Sequence, residues 1–460
     1  MTHRLREKLT DHPDSARSDL PHILLVNPWI HDFAAYDFWA KPFGLLSLAA
    51  VLQSHGVPVS YVDCLDRFHP RAVAADPHAR HGRGPYLKTP IAPPAGLAGI
   101  GRTFSRYGID PEWLRQDLAA MTPPDLILVT SLMTYWYPGV IETIQVLKRQ
   151  FAQTPVVLGG IYARLCTGHA RRHSGADDVV ADRGESIFQV IHKHTGCRIV
   201  PRFDLADFTF WPYPAFGLQK RINYIPLLTV RGCPFDCAYC ASSFLEPRLQ
   251  RRSAQDVIDE IAFWHHRHGV VDFAFYDDAL LWNAETTAVP LLEGIIASKL
   301  KLFFHTPNAV HIRAITADVA GLMKDAGFHT LRLGLETTAF ETRTGIDNKV
   351  TAAEFHRTVG HLKSAGFDGR RIGAYLLLGL PGQSLSAVES SIRVVKEAGI
   401  TPVLAYYTPI PQTKMWPQAV SASRYDLEAD PIFTNNAILP CLPEEFSWQT
   451  LSRLKQLANA

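Results

Sequence analysis

One unit recurs through the second half of the chain and restricts its fold more than any other feature. A helical stretch ends in glycine, an apolar strand follows, and polar residues stand at the strand's carboxyl end. The copies read "HHRHGVVDFAFYDD", "MKDAGFHTLRLGLET", "LKSAGFDGRRIGAYLLLGLPG" and "VKEAGITPVLAYYTPIP", with Gly269, Gly327, Gly366 and Gly399 closing the helices. Adding "YIPLLTV" and "KLFFHTPN" makes six βα units. Six parallel strands with crossover helices build three quarters of an eight-unit TIM-type barrel, in which chemistry sits at the carboxyl strand ends. Those ends carry a cysteine loop after the first strand, Asp277 and Asp278 after the second and Asn308 after the third. Glu336 follows the fourth, Gly379 to Gly382 the fifth, and Thr408 to Pro411 the sixth.

The cysteine loop, "TVRGCPFDCAYCASS", holds Cys233, Cys237 and Cys240, three of only seven cysteines in 460 residues. A structural zinc site takes four ligands and closes, whereas three thiolates leave one position vacant. The CxxxCxxC spacing suits three corners of an iron-sulfur cube, with one iron open to a small molecule and Tyr239 covering one side. Zinc with Cys441 or a histidine as fourth ligand, in a metal-stabilised binding module, is the non-enzymatic alternative.

The first half alternates β-branched runs with helical patterns, the mark of a doubly wound parallel sheet. The strands are "HILLVN", "PVSYVD", "DLILVT", "PVVLGG" and "DDVVAD", and the first helix is "KPFGLLSLAAVLQSHG". Ligands of such sheets lie beyond the carboxyl strand ends, here Asn27 to Trp29, Asp63, Ser131 to Thr134 and Gly159 to Tyr162. Gly159 and Gly160 either admit a large flat ligand to the backbone or simply make a tight turn. The aromatic run Met133 to Gly139 either stacks on such a ligand or packs internally. From Asp66 to Pro111 a Pro, Gly, His and Arg-rich insertion is expected to be a lid, with Tyr86 and its basic residues, or a solvated excursion.

Lys plus Arg number 46 against 44 Asp plus Glu, with no block of one sign, so nothing points to nucleic acid or an anionic membrane. No run of eighteen apolar residues and no secretory signal is present, and the scattered cysteines are not a disulfide framework. A cytoplasmic protein is expected, divided into a polar tail (1–20), a doubly wound domain (21–198, insertion 66–111), a linker around "WPYP" (199–221), the partial barrel (222–415) and an extension (416–460) with a final helix.

The second half, through "CPFDCAYC", "FYDD", "GLET" and "LGLPG", resembles the radical S-adenosylmethionine superfamily. That resemblance implies a [4Fe-4S] cluster on Cys233, Cys237 and Cys240, and S-adenosylmethionine held by Tyr239, Asp277, Asp278, Glu336, Leu378 and Gly379. It places Asp277 and Asp278 at the methionine amino group, where a glycine-rich motif is commoner. Glu336 would reach the ribose or amino group, and Leu378 and Gly379 would flank the adenine. The first half, through "LLVNP", "PFGLLSLAAVL", "LVTSLMT", "LGGIYA" and "GADDVVADRGE", is similar to the cobalamin-binding, Rossmann- or flavodoxin-like domain that often precedes such barrels. Ser131, Thr134, Gly159 and Gly160 would then hold cobalamin.

The DxHxxG motif that supplies a lower cobalt ligand is absent. His31 in "NPWIHDF" has its topological place but reads as a surface residue, and "DPHARHG" is one residue too long. The resemblance implies a radical enzyme, most commonly a methyltransferase. Alternatives are a rearrangement or cyclisation, or a methylthiotransferase-like enzyme with a further cluster on Cys64, Cys166 and Cys197, which otherwise read as structural thiols. A flavodoxin or ferredoxin donor is implied. The substrate, whether small molecule, lipid or peptide, is not legible, and no catalytic residue is assigned.

Overall fold

The computed structural model describes residues 19–341, 343–442 and 447–459, so the tail at 1–18 lies outside the described residues. The chain divides into two compact units. The first comprises Met1–Asn223 with Asp430–Phe433, and the second Tyr224–Ala429 with Thr434–Ala460.

The first unit is built on a five-stranded sheet of β1 (Ile23–Asn27), β2 (Val59–Asp63), β3 (Leu126–Val129), β4 (Val156–Leu158) and β5 (Asp178–Val179). Its order is β5-β4-β3-β1-β2 and every pairing is parallel. The central strands are continuous apolar runs buried throughout, as a sheet covered on both faces requires. The first helix spans Phe43–Ser54 and buries Leu45, Leu46, Ala49 and Leu52.

The insertion at 66–111 is partly built into sheet, while 71–80 and 88–90 are mostly exposed. Ser105–Tyr107 pairs antiparallel with Ile30–Asp32 on one side and with Lys88–Pro90 on the other, and Gly84–Pro85 pairs with Tyr36–Asp37. Tyr86 is buried against Ile30 and Tyr107, because these aromatic and branched side chains supply a small core of their own. The stretch 199–221 is not a free linker. Trp211, Tyr213 and Phe216 are buried, and Ala215 N donates to Leu46 O, so this aromatic-rich segment packs as part of the first unit.

The second unit is a six-stranded parallel sheet in sequential order: β6 (Ile225–Leu227), β7 (Asp272–Phe275), β8 (Phe303–His305), β9 (Phe328–Glu336), β10 (Ile372–Leu378) and β11 (Thr401–Tyr406). Helices Ala254–His268, Ala288–Ser298, Ala317–Asp325, Ala352–Ser364 and Leu385–Glu397 form the crossovers. The four repeat glycines all have positive φ, from +66° to +96°, which is why glycine closes each helix. Caps at Ser253, Thr316, Thr351 and Ser384 begin four of these helices, each worth about 1 kcal/mol. This is a partial (βα)6 barrel. The final helix is Trp448–Asn459.

Candidate active site

The cysteine loop leaves β6 and returns through a short antiparallel pair in which Val230 and Arg231 meet Arg251 and Gln250. Gly232 stands at its neck with φ +91°, and a Cβ there would come 2.6 Å from Arg248 O. Only glycine permits that approach. Between its ends the loop presents Cys233, Cys237 and Cys240. Burial raises the Cys233 thiol to about 11 and raises Cys237, so these two bare sulfurs are protonated near neutrality and iron must displace their protons. Cys240 Sγ lies 3.2 Å from Ser242 Oγ and 3.4 Å from Ser242 N, the weak contacts that steady a ligating sulfur.

Three soft thiol donors on one short loop fit three corners of an iron-sulfur cube and leave the fourth iron open to a small molecule. Among the described residues Cys64, Cys166 and Cys197 form no metal-ligating group. Cys64 is buried, and burial lifts the Cys166 thiol to about 12, as suits structural thiols.

Phe235 stacks on His311 with ring centroids 3.7 Å apart, and its edge meets Trp282. Burial drives the His311 imidazole down to about 3, so it is neutral, and Lys349 and Arg313 add to the effect. Ala238, between two of the cysteines, donates its N–H to Ile346 O and accepts from Met415 N. The loop is therefore held from three sides by segments distant in sequence.

The two adjacent aspartates do different things. Asp277 is buried, and its Oδ1 accepts from Thr229 Oγ1, Thr229 N and Val230 N. It braces the start of the cysteine loop through Oδ1, while its buried Oδ2 has no hydrogen-bond partner among the described residues. Asp278 is exposed, and its Oδ2 accepts from Ser242 Oγ at 2.7 Å, joining the second strand end to the cysteine loop.

Glu336 ends β9 with φ +65°, where the pairing with β10 slips between Gly334 and Glu336. Left-handed backbone at a residue with a Cβ costs about 1–2 kcal/mol, a strain this strand end retains. Its Oε1 lies 3.3 Å from Lys349 Nζ, which also donates to Tyr239 Oη at 2.8 Å. Burial opposes the Lys349 charge, but Glu336, Cys237 and Asp347 outweigh it and hold the ammonium above its ordinary value. Lys349 escapes sequence reasoning because it lies thirteen residues beyond the strand end, in a stretch with no motif.

The proposed adenine neighbours are partly corrected. Leu378 is fully buried and its carbonyl accepts from Tyr407 N, so its side chain belongs to the core. Gly379 N donates to Gln383 Oε1, and Gln383 Nε2 returns to Leu377 O. Gln383 thus ties down the "GLPG" turn, which leaves Gly379 a role in shape only.

In the first unit, Ser131 Oγ donates to Gly159 O and accepts from Ala163 N. The two glycines are not equivalent. A Cβ on Gly160, at φ +94°, would meet Ser131 O at 2.3 Å, whereas one on Gly159 would find only Val180 O at 4.0 Å. Gly160 is demanded by internal packing, and Gly159 leaves an open face. Leu132 and Met133, next in sequence to the Ser131 that bonds Gly159 O, are 45% and 39% exposed, while Ser131 and Thr134 are buried. An apolar shelf with a bare backbone suits a flat macrocycle. Beyond it Tyr137 donates to Asp430 Oδ2 and Tyr162 Oη lies 2.7 Å from His169 Nδ1. The Tyr137 and Tyr162 rings stack, so this part of the aromatic run packs internally. His31 is buried, with Nε2 2.7 Å from Glu142 Oε2, so it is not the surface residue expected.

Comparison with known proteins agrees with both halves. The Radical SAM superfamily matches residues 227–395 and the B12 binding domain residues 106–192. Cytidylyl-2-hydroxyethylphosphonate methyltransferase of Streptomyces wedmorensis is 25% identical over 82% of this chain and 78% of its own length. An uncharacterized methyltransferase of Pyrococcus horikoshii is 26% identical over 46% of each chain, so the match spans about half of that relative. The fold is similar to that of the radical S-adenosylmethionine methyltransferase TsrM from Kitasatospora setae with cobalamin and [4Fe-4S] cluster bound: TM-score 0.64, 16% identity, 88% of this chain and 76% of that one. It is also similar to the cobalamin-dependent S-adenosylmethionine radical enzyme OxsB: TM-score 0.56, 11% identity, 90% and 58%. No helix among the described residues is long and apolar enough to cross a membrane. The chain therefore carries a radical S-adenosylmethionine domain over 227–395, with its [4Fe-4S] and S-adenosylmethionine cofactors, together with a B12-binding domain over 106–192.

Proposed function

We propose that this protein is a cobalamin-dependent radical S-adenosylmethionine methyltransferase acting on an unactivated carbon. The observation that carries the reading is the occurrence, in one chain, of a three-thiol loop at the mouth of a partial barrel and an open-faced glycine shelf at the strand ends of a B12-binding domain. When bound, the cofactors supply a 5'-deoxyadenosyl radical from reductive cleavage of the sulfonium and a transferable methyl group.

The chain's own residues provide the setting. Cys233, Cys237 and Cys240 would ligate three irons, and Ser242 would steady the last sulfur while linking it to Asp278. Asp278 and Glu336 are the carboxylates at this mouth suited to an ammonium or a ribose diol. Tyr239 would cover one side of the methionine moiety, and the turn at Gly379 would bound the adenine. In the first unit Gly159, Leu132 and Met133 would receive the macrocycle, with Ser131 and Thr134 holding the loop beneath it. A flavodoxin or ferredoxin would supply the electron, in keeping with a cytoplasmic protein.

The test is anaerobic reconstitution with iron, sulfide and hydroxocobalamin, followed by reduction and addition of S-adenosylmethionine. About four irons per chain, retained cobalamin and 5'-deoxyadenosine that disappears in a Cys233, Cys237, Cys240 triple alanine variant are expected. Deoxyadenosine without retained cobalamin would refute methyl transfer. A full cluster with no deoxyadenosine would refute the radical reading.

A further inference from the structure

Lys349 donates to Tyr239, one of two aromatic side chains inside the cysteine loop, and it is held by a frame of its own. Arg343, buried, sends Nε and Nη2 to Asp347 Oδ1 at 2.9 and 2.7 Å, and its remaining donors to Thr337 O and Leu335 O. Asp347 Oδ1 also accepts from Lys349 N at 3.1 Å. This brace turns the segment after β9 back over the mouth, so that Ile346 O meets Ala238 N while the Lys349 ammonium meets Tyr239 and Glu336. The ammonium lies 5.3 Å from the centroid of the Tyr239 ring, and Tyr239 stands between Cys237 and Cys240 in the loop. Two independent bonds therefore run from this segment to consecutive residues, 238 and 239, between two of the three cysteines.

We propose that Lys349 is a positioning residue for the reductive step: fixed by Glu336 and Tyr239, it sets the electrostatic field at the Cys237 edge of the cluster. The inference rests on the reading of the cysteine loop as a cluster site. A cluster with three thiolate ligands carries negative charge that grows when it takes up an electron, and a fixed ammonium in a half-buried setting favours the reduced form. Glu336 opposes that effect through the same ammonium. The electron comes from a low-potential one-electron donor, and no bond is made or broken at Lys349 itself. Its bond to Tyr239 keeps the aromatic ring in place between the ligands.

The experiment is a mediated redox titration of the reconstituted full chain, followed by the electron paramagnetic resonance signal of the reduced cluster, with iron counted in each sample. Lys349→Met is expected to shift the midpoint potential in the negative direction at unchanged iron content, and Lys349→Arg to restore it. Glu336→Gln is expected to shift it in the positive direction, while Tyr239→Phe, which removes only the hydroxyl, moves it little. If Lys349→Met fails to hold iron, the sign of the Glu336→Gln shift decides. Equal potentials in the iron-loaded variants, or a Glu336→Gln shift in the negative direction, overturn the inference. If the unaltered chain takes up iron without showing a [4Fe-4S] signal, it is the cluster reading that fails.

Discussion

Asp277 Oδ1 lies 2.5 Å from Thr229 Oγ1, with the backbone N–H groups of Thr229 and Val230 on the same oxygen. Burial lifts this carboxyl to about 6 despite those donors. A folded value above the unfolded one, near 4, means that its favourable contribution is complete below about pH 4 and is lost as pH rises through 6. Above that the ionised group costs at most about 3 kcal/mol. Asp277→Asn, which cannot ionise, is expected to gain on the native chain in melting temperature between pH 4 and 7. A difference that does not change with pH would show that Asp277 is not titrating in this range.

In the first unit the sign is opposite. Burial works against the Glu142 charge, but His31 and Arg106 bond to its carboxylate and hold it down to about 2. That stabilisation is present above about pH 4.5 and is lost as pH falls toward 2. It is worth no more than about 3 kcal/mol, less the screening of a side chain 27% exposed. Glu142→Gln should lower the melting temperature at pH 7, and the deficit should shrink as acid is added. Circular dichroism melts at pH 7 and pH 3.5 measure it.

Gly159 and Gly160 separate folding from cofactor retention. Gly160→Ala drives a methyl group into Ser131 at positive φ and is expected to destabilise the first unit by about 2–4 kcal/mol. Gly159→Ala meets only open space, so the melting temperature should hold while cobalamin retained after gel filtration falls several-fold. Equal cobalamin retention in Gly159→Ala and the native chain would remove Gly159 from the cobalamin face.

Arg343→Met breaks a buried pair and strands Asp347 without its guanidinium. Removing one partner of such a pair costs about 3–5 kcal/mol. The variant should melt lower and should also load iron poorly, because Ile346 and Lys349 hang from this brace. Joint measurement of melting temperature and iron content checks both effects, and normal iron loading in a destabilised variant would disconnect the brace from the cysteine loop.

Local information in the sequence already determines a good deal. Apolar runs of strand length, helices closed by glycines at 269, 327, 366 and 399, and a CxxxCxxC loop between the first two barrel strands are contiguous patterns with their own periods and turn chemistry. They dictate two parallel α/β units and the location of the thiols. Tertiary structure alone separates Asp277 from Asp278, since adjacent residues beyond a strand end face different surroundings. It alone buries Leu378, assigns Gly160 to packing and Gly159 to an open face, and folds the Tyr86 insertion into a sheet. It also delivers Lys349 to Tyr239 across 110 residues of chain. Such pairings depend on which segments a parallel sheet in sequential order brings side by side, and no periodicity within a segment encodes its neighbour.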